Sequence, residues 1–185
     1  MICVWLGEFF TVFLPMAKTF EEFLALREPT PIPASRSCAI FSQLRPMRAA
    51  DFAAIMAIEQ QVYEFPWTIG MFEDCLRVGY YCWVCEHYQL HGYGIMSIGA
   101  GECHILNLCV APEFQRKGLG RYLMTHFLHL GRRYHADTVF LEVRSSNQAA
   151  IHLYFSMGFN EIGQRRNYYP SKYGREDALM LARSL

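Results

Sequence analysis

The sequence predicts an α/β (α+β) domain, with helices on both faces of one mixed, mostly antiparallel sheet. The predicted elements follow the order β-α-α-β-β-β-α-β-α-β-β, without an internal repeat. Three consecutive strands share short connections, as antiparallel strands do, whereas helices link the next strands, as in a mixed sheet. Apolar residues make up 52% of the 185-residue chain, which is enough for one domain with a proper core.

The first elements are a strand and two short helices. Residues 41–47 have the apolar–polar alternation of a strand. Asp51 can cap a helix whose apolar face is formed by Ile55, Ile58 and Val62. Phe65-Pro66-Trp67-Thr68 ends that helix, because the residue before a proline avoids helical backbone, and Thr68 can cap the second helix.

The remaining elements alternate between strands and amphipathic helices. Residues 80–88 and 92–98 predict a hairpin, and 102–110 predict the next strand. A helix over 118–134 is indicated by apolar residues at helical spacing, namely Leu119, Leu123, Phe127 and Leu130. A strand at 139–143 and a helix from Asn147 to Gly158 follow. The last two strands are predicted at 159–167 and 177–182.

The segment Gln115-Arg116-Lys117-Gly118-Leu119-Gly120 has the features of an anion-binding loop. It follows the strand that ends at Val110 and opens the next helix. Glycines let backbone N–H groups approach an anion, and a helix start adds four unpaired N–H groups and a positive dipole end. Arg116, Lys117 and Arg121 add charge. The loop predicts a phosphate site, and an ordinary turn with a basic flank is the alternative.

Charge and cysteine usage limit the partners and the compartment. Lys plus Arg is 17 and Asp plus Glu is 17, so the net charge gives no general reason to expect a nucleic-acid partner. Seven cysteines, an odd number, do not form a disulfide framework and indicate a reducing compartment, hence the cytoplasm. Cys82 and Cys85 lie three apart in a predicted strand, so their sulfurs should point to opposite faces. Core cysteines are expected there, with a metal or redox pair as the alternative.

Residues 1–40 are expected to be an appendage, with the domain at 41–185. The apolar run from Ile2 to Leu14 contains Glu8 and is shorter than the roughly 20 residues that span a bilayer, so no membrane partner is expected. No Lys or Arg precedes it, which disfavours a signal peptide. A proline-rich stretch at 28–35 reads as a linker. The extension could be a partner-binding arm or the result of a start codon set too far upstream.

Glu142 and Tyr154 are ambiguous from the residues alone. Alternation places Glu142 on the strand face opposite Leu141 and Val143, so its carboxylate is either exposed or directed into a cleft. Tyr154 lies three residues after Ile151 on an apolar helix face, which is typical of a core aromatic. Their roles therefore depend on what the rest of the chain resembles.

Five segments resemble one enzyme family from about residue 44 to the end. The loop resembles that of the GNAT acetyltransferases in general, and the others resemble the RimI-type ribosomal-protein alanine N-acetyltransferases within that superfamily. The segments are Val110–Gly120, Leu141–Asn147, Ala150–Tyr154, Met157–Asn160 and Arg165–Pro170. Leu-Glu-Val-Arg at 141–144 and Arg-Asn-Tyr-Tyr-Pro at 166–170 are the more specific motifs. The extension and the cysteine-bearing hairpin are not part of that pattern.

The resemblance implies a GNAT fold, acetyl-CoA as co-substrate without a metal, and the N-terminal alanine of a small-subunit ribosomal protein as acceptor. It implies that Glu142 is the general base and Tyr154 the general acid. The acetyl and pantetheine arm would lie along the backbone of Leu108, Cys109 and Val110, with Asn147 also touching it. The pyrophosphate would be held by Arg116, Lys117, Gly118, Leu119, Gly120 and Arg121. The peptide would pass between Trp67, Tyr168 and Tyr169, for which packing under a loop is the alternative.

This set of residues is chemically consistent with direct transfer. An α-amine has a pKa near about 8, and it must lose its proton before it attacks a thioester. A carboxylate can take that proton, a backbone N–H near Val110 can stabilise the oxyanion, and a tyrosine can protonate the leaving thiolate. A basic peptide could be attracted by acidic residues that are otherwise solvated charges, namely Glu59, Glu64, Glu73, Asp74 and Asp177.

Two other functions stay open at this point. A GNAT enzyme could instead acetylate lysine side chains or a small amine. A non-catalytic acyl-CoA-binding module is the second alternative, although such a module has no need of an acid–base pair.

Overall fold

The computed structural model describes residues 42–185, so the predictions for residues 1–40 lie outside the described part. Seven strands form one sheet in the order β1-β2-β3-β4-β5-β7-β6. The first half of the chain contains β1 (Gln43–Pro46), α1 (Phe52–Val62), α2 (Ile69–Arg77), β2 (Tyr81–Glu86), β3 (Leu90–Gly99) and β4 (Glu102–Val110). The second half contains α3 (Leu119–Arg133), β5 (Thr138–Arg144), α4 (Gln148–Ser156), β6 (Asn160–Ser171) and β7 (Gly174–Ser184). The predicted element order is confirmed.

Local details differ from the predictions at the caps of α1 and α2 and in the last two strands. Thr68 occupies the cap position of α2, but its side chain forms no capping hydrogen bond within residues 42–185. Asp51 occupies the cap position of α1, but its carboxylate accepts the Arg48 backbone N–H and pairs with Arg45 rather than capping that helix. The last two strands are longer than predicted, because β6 and β7 continue into a tight hairpin at residues 171–174. The apolar–polar alternation of β6 and β7 is weak near this hairpin, so the sequence did not indicate where β6 ends and β7 begins.

Helices cover both faces of the sheet, as predicted. Helices α3 and α4 pack on one face around Leu123, Phe127 and Ile151, and α1 and α2 pack on the other around Ile55 and Phe72. Cys85 belongs to the first core and Cys82 to the second, so the two sulfurs point to opposite faces, as predicted. Within residues 42–185, no helix combines the length and the hydropathy that crossing a membrane requires.

The central feature is the place where β4 and β5 part. They pair in parallel from Glu102–Thr138 to Ile105–Leu141, and both strands then continue. A bulge at Leu106 interrupts the β3–β4 register at the same level, because Ile105 lies opposite Met96 but Asn107 lies opposite Ile95. Bulges bend the strand that contains them. The bend turns β4 away from β5 and opens a cleft between them.

Candidate active site

The backbone of β4 turns hydrogen-bonding groups that do not pair with β3 toward the cleft. Ala111 donates its N–H to the His91 carbonyl at 2.9 Å, which makes this antiparallel pair a hydrogen-bonded one. Such pairs alternate along a ladder, so Cys109 also bonds to β3, whereas Leu108 and Val110 direct their N–H and C=O groups to the β5 side. The cleft is thus lined by backbone from Leu108 and Val110, and the Cys109 backbone is engaged by Tyr93.

The loop after β4 turns into α3 through left-handed backbone. Gly118 precedes the helix with φ of 86°, and Arg116 has φ of 61°. Gly118 suits this position because it has no Cβ. The Gln115 side chain donates to the Val110 carbonyl at 3.0 Å and ties the loop to the end of β4. Leu119 and Gly120 form the first turn of α3, where N–H groups and the helix dipole favour an anion.

The basic residues of the loop lie at two positions. Arg116 and Lys117 are exposed, and the Lys117 ammonium stands 5.4 Å from the Phe114 ring centre. Arg121 donates to the Ser156 hydroxyl at 2.6 Å and lines a cavity of about 350 Å³ together with Arg132 and Arg183. Each of the loop residues Arg116, Lys117 and Arg121 could approach a phosphate. Asn147 instead caps α4, since its side-chain oxygen accepts the Ala150 N–H at 3.2 Å.

Glu142 lies directly after Leu141, the last residue of β5 that pairs with β4. Its carboxylate is buried, and Oε1 forms an ion pair with Arg165 Nε at 2.8 Å. Oε2 is also buried and has no hydrogen-bond partner among the described residues. Glu142 and Arg165 line a cavity of about 300 Å³ whose walls include His104, Phe140 and Ile162. The structure therefore directs this carboxylate into a cleft, one of the two placements that the sequence left open.

Tyr154 is fully buried on the α3/α4 side of the sheet. Its hydroxyl has no hydrogen-bond partner within residues 42–185. Burial, with a smaller contribution from Cys109, raises the pKa of Tyr154, so the hydroxyl keeps its proton at neutral pH. Burial also raises the pKa of the Cys109 thiol to about 12, which leaves this thiol un-ionised and a poor nucleophile. The tyrosine can donate a proton.

The three aromatic residues expected at the acceptor side differ in exposure. Trp67 and Tyr169 are each only 2% exposed, and Tyr168 is partly exposed. Trp67 packs 5.4 Å from the Phe72 ring centre, and Tyr169 lies under the Arg144 guanidinium at 4.5 Å. Tyr168 is thus the one of the three with exposed surface, whereas Trp67 and Tyr169 are packed against neighbouring side chains.

The acidic residues expected to attract a basic peptide differ in their exposure and in their partners. Glu64 and Glu73 are exposed, Asp74 pairs with Arg77 at 2.7 Å, and Asp177 accepts the Asn167 N–H at 2.7 Å. The prediction for Glu59 is wrong, because this side chain is completely buried. A signal existed: Glu59 falls four residues after Ile55 and beside Ile58, within the apolar stripe of α1.

Sequence reasoning also missed Arg165, the partner of Glu142. These residues lie 23 positions apart and meet across an intervening strand. Only the sheet order brings them together, so no local pattern indicated the pair. For metals the structure gives no candidate, since no three His, Cys, Asp or Glu side chains of residues 42–185 converge on one point.

A parted sheet, a helix start with basic flanks and a carboxylate directed into the cleft suit an enzyme that binds a phosphate-bearing co-substrate. The model of the Acetyltransferase (GNAT) family matches residues 52–159, which is more than half of the chain. The chain belongs to the GNAT acetyltransferase family.

Individual relatives show which members of this family the chain is similar to. The [ribosomal protein bS18]-alanine N-acetyltransferase of Escherichia coli K12 is 38% identical over 137 residues, covering 74% of this chain and 93% of that protein. The enzyme of the same name from Haemophilus influenzae is 34% identical, covering 78% and 97%. The crystal structure of the E. coli ribosomal-protein-S18-alanine N-acetyltransferase matches with a TM-score of 0.73 at 36% identity, covering 77% of this chain and 93% of that one. The Ard1 structure from Thermoplasma volcanium matches with a TM-score of 0.71 at 27% identity.

Proposed function

We propose that this chain transfers the acetyl group of acetyl-CoA to the N-terminal alanine of a small-subunit ribosomal protein. The observation that carries the proposal is the buried Glu142 carboxylate, placed where β4 and β5 part and with Oε2 without a partner in residues 42–185. The names of relatives that are 34–38% identical over more than nine-tenths of their own length supply the acceptor.

Acetyl-CoA supplies the thioester, and the residues present fit its parts. The pyrophosphate would be held by the first turn of α3 at Leu119 and Gly120, with Arg116, Lys117 and Arg121 providing charge. Leu108 and Val110 would hydrogen-bond the pantetheine arm and the acetyl carbonyl, since their backbone groups face the cleft. Asn147 would contribute as the fixed start of α4.

Glu142 is proposed as the general base. The acceptor is cationic for much of the time at neutral pH, and it becomes a nucleophile only after losing a proton. Oε2 would accept that proton directly or through one water, while Arg165 fixes Oε1 at 2.8 Å. A base held at one oxygen has its other oxygen oriented before the acceptor arrives.

Tyr154 is proposed as the general acid, and Val110 as an oxyanion donor. The Val110 N–H faces the cleft and can stabilise negative charge on the carbonyl oxygen during attack. The Tyr154 hydroxyl is protonated at neutral pH, and it would give that proton to the departing CoA thiolate. Transfer then needs no covalent enzyme intermediate, in keeping with the un-ionised Cys109 thiol.

Two further proposals concern the chain as a whole. Residues 41–185 would form the catalytic domain, with residues 1–40 as an extension outside its core. The cytoplasm would be its location, because the buried thiols of Cys75, Cys103 and Cys109 suit a reducing compartment.

The test is acetylation of two short arginine-rich peptides by the purified chain with acetyl-CoA. One peptide begins with a free alanine and contains no lysine, and the other has a blocked N-terminus and one internal lysine. Mass spectrometry should find a single acetyl group on the α-amine of the first peptide, formed faster than any product from the second. Faster acetylation of the lysine would contradict the proposal and favour a side-chain acetyltransferase. Acetyl-CoA binding without transfer to either peptide would contradict it as well.

A further inference from the structure

Arg165 reaches Glu142 from two strands away. Met180 of β7 lies opposite both Glu142 and Gly163, and Ala178 lies opposite both Arg144 and Arg165. Paired residues share a face of the sheet, so all of these positions line one side. Gly163 and Ala178 have no side chain or a small one, which leaves room on this face of β7. The Arg165 side chain crosses β7 there and places its Nε 2.8 Å from Glu142 Oε1.

The neighbouring arginine on the same face serves a different purpose. Arg144 bonds to the Pro170 carbonyl at 2.9 Å and to Glu176 at 3.2 Å, and it stacks on the Tyr169 ring. These contacts stabilise the β6–β7 hairpin. The Arg165 guanidinium instead lies 5.3 Å from the ring centre of Tyr168 and forms an ion pair with Glu142. One arginine is structural, and the other brings positive charge to the wall of the cleft.

The pair of Glu142 and Arg165 is formally neutral, which changes what the cleft attracts. A buried carboxylate without a cation would bind any ammonium, including that of a lysine side chain. Next to a guanidinium, an arriving ammonium meets a like charge beside the carboxylate that would otherwise attract it. A neutral amine meets no such penalty.

We propose that Arg165 makes the site select an amine in its neutral form, and thereby favours an N-terminal α-amine over a lysine side chain. This inference rests on the proposed function. At pH 7.5 roughly a third of α-amino groups are neutral, but only about 0.1% of lysine side chains are, given pKa values near about 7.9 and 10.4. Arg165 is thus a specificity-determining residue, and Glu142 remains the base: when the amine enters in its neutral form, Oε2 takes the proton that the nitrogen loses as it forms the amide bond.

Other ionisable groups also face the cavity. Tyr80 and Tyr81 lie at its edge near the end of α2, and Glu102 and His104 line it from β4. His104 Nε2 lies 3.3 Å from Glu102. All of them are kept in every variant below, so their titration cancels when variants are compared with the unchanged chain.

The experiment replaces Arg165 by Met, which keeps an apolar stem, and by Lys, which keeps the charge. Values of kcat/KM are measured for the two peptides described above, from about pH 6 to 9.5, where α-amines titrate. Arg165→Met should lower the preference for the α-amine about ten-fold or more and extend activity on that peptide to lower pH. Arg165→Lys should retain both the preference and the pH profile.

The control is Arg166→Met, which removes an exposed arginine next in sequence and should change neither quantity. If Arg165→Met does not fold, Arg165→Gln takes its place. A preference and a pH profile that stay unchanged without the charge would overturn the inference, whatever happens to the absolute rate, because Arg165 would then only hold Glu142. Unchanged chain that prefers lysine, or acetylates neither peptide, overturns the proposed function and this inference together.

Discussion

Two buried carboxylates on the same side of the sheet have opposite surroundings. Glu59 of α1 accepts hydrogen bonds at both oxygens, from the Trp67 N–H at 2.6 Å, from the Tyr93 hydroxyl and, at 3.5 Å, from the Asn107 amide. Among residues 42–185, Glu142 of β5 has a partner at Oε1 only. Buried polar groups are normally satisfied, so Glu59 follows the rule and Glu142 departs from it.

This difference in hydrogen bonding separates a structural carboxylate, Glu59, from the carboxylate that we propose to react, Glu142. Glu59 fixes the loop that contains Trp67 against β3 and β4, at the level of the bulge in β4. It thereby shapes the cleft without facing it. Glu142 keeps one oxygen available, which costs stability but is what a base requires. A network that is complete serves folding, and one that is incomplete at a cleft indicates reactivity.

The largest expected effect is on folding, from Glu59→Ala. This change leaves the Trp67 N–H and the Tyr93 and Asn107 donors buried without their acceptor, so we expect a loss of about 3–5 kcal/mol in the free energy of unfolding. Chemical denaturation measures it. Glu73→Ala, on the exposed side of α2, is the control and should stay within about 0.5 kcal/mol. A similar small loss at Glu59 would show that its network is dispensable.

Tyr154→Phe should have the opposite profile to Glu59→Ala, with a loss of turnover but no loss of stability. The hydroxyl has no partner in the described part of the chain, so its removal should leave the free energy of unfolding unchanged or slightly higher. Turnover should fall about 100-fold, the usual scale for loss of a general acid. Stopped assays with the alanine peptide measure the rate. Turnover at the original level would mean that another group protonates the thiolate.

Glu59 should also give stability a pH dependence of defined sign. Burial raises the pKa of its carboxyl above the ordinary 4.5 despite the hydrogen bonds it accepts. The folded state therefore holds this proton more tightly than the unfolded state. Relative to Glu59→Gln, the unchanged chain should lose stability as pH rises from about 4.5 through the raised pKa. Denaturation of both chains across this window measures it, and a gain of stability with pH would contradict the assignment.

The smallest effect is expected from deleting residues 1–40. The sequence indicates that residues 1–40 are an extension outside the catalytic domain, so Tm and acetyl-CoA affinity should not change measurably. Thermal denaturation and calorimetric titration of the two chains provide the comparison. A truncated chain that fails to fold would show that the extension belongs to the core.

Local patterns in the sequence were sufficient for the elements and for part of the site. The bounds of β4 were predicted to the residue, and Thr68 and Asn147 stand at the starts of their helices as expected. These features depend on neighbours in sequence. The Arg165–Glu142 pair and the Glu59 network depend on strand order and on contacts such as Tyr63–Asn107, which join residues 44 apart. No local pattern encodes them.

The most direct test of the account is Glu142→Gln, which keeps the shape of the side chain and removes the base. Glu161→Gln, at an exposed position of β6, is the matched control. With Glu142→Gln we expect acetyl-CoA affinity to be retained and transfer to the alanine peptide to slow about 100-fold or more. Transfer at the rate of the unchanged chain would contradict the assignment of Glu142 as the base, and with it the reading of its unpartnered oxygen within residues 42–185 as the sign of chemistry.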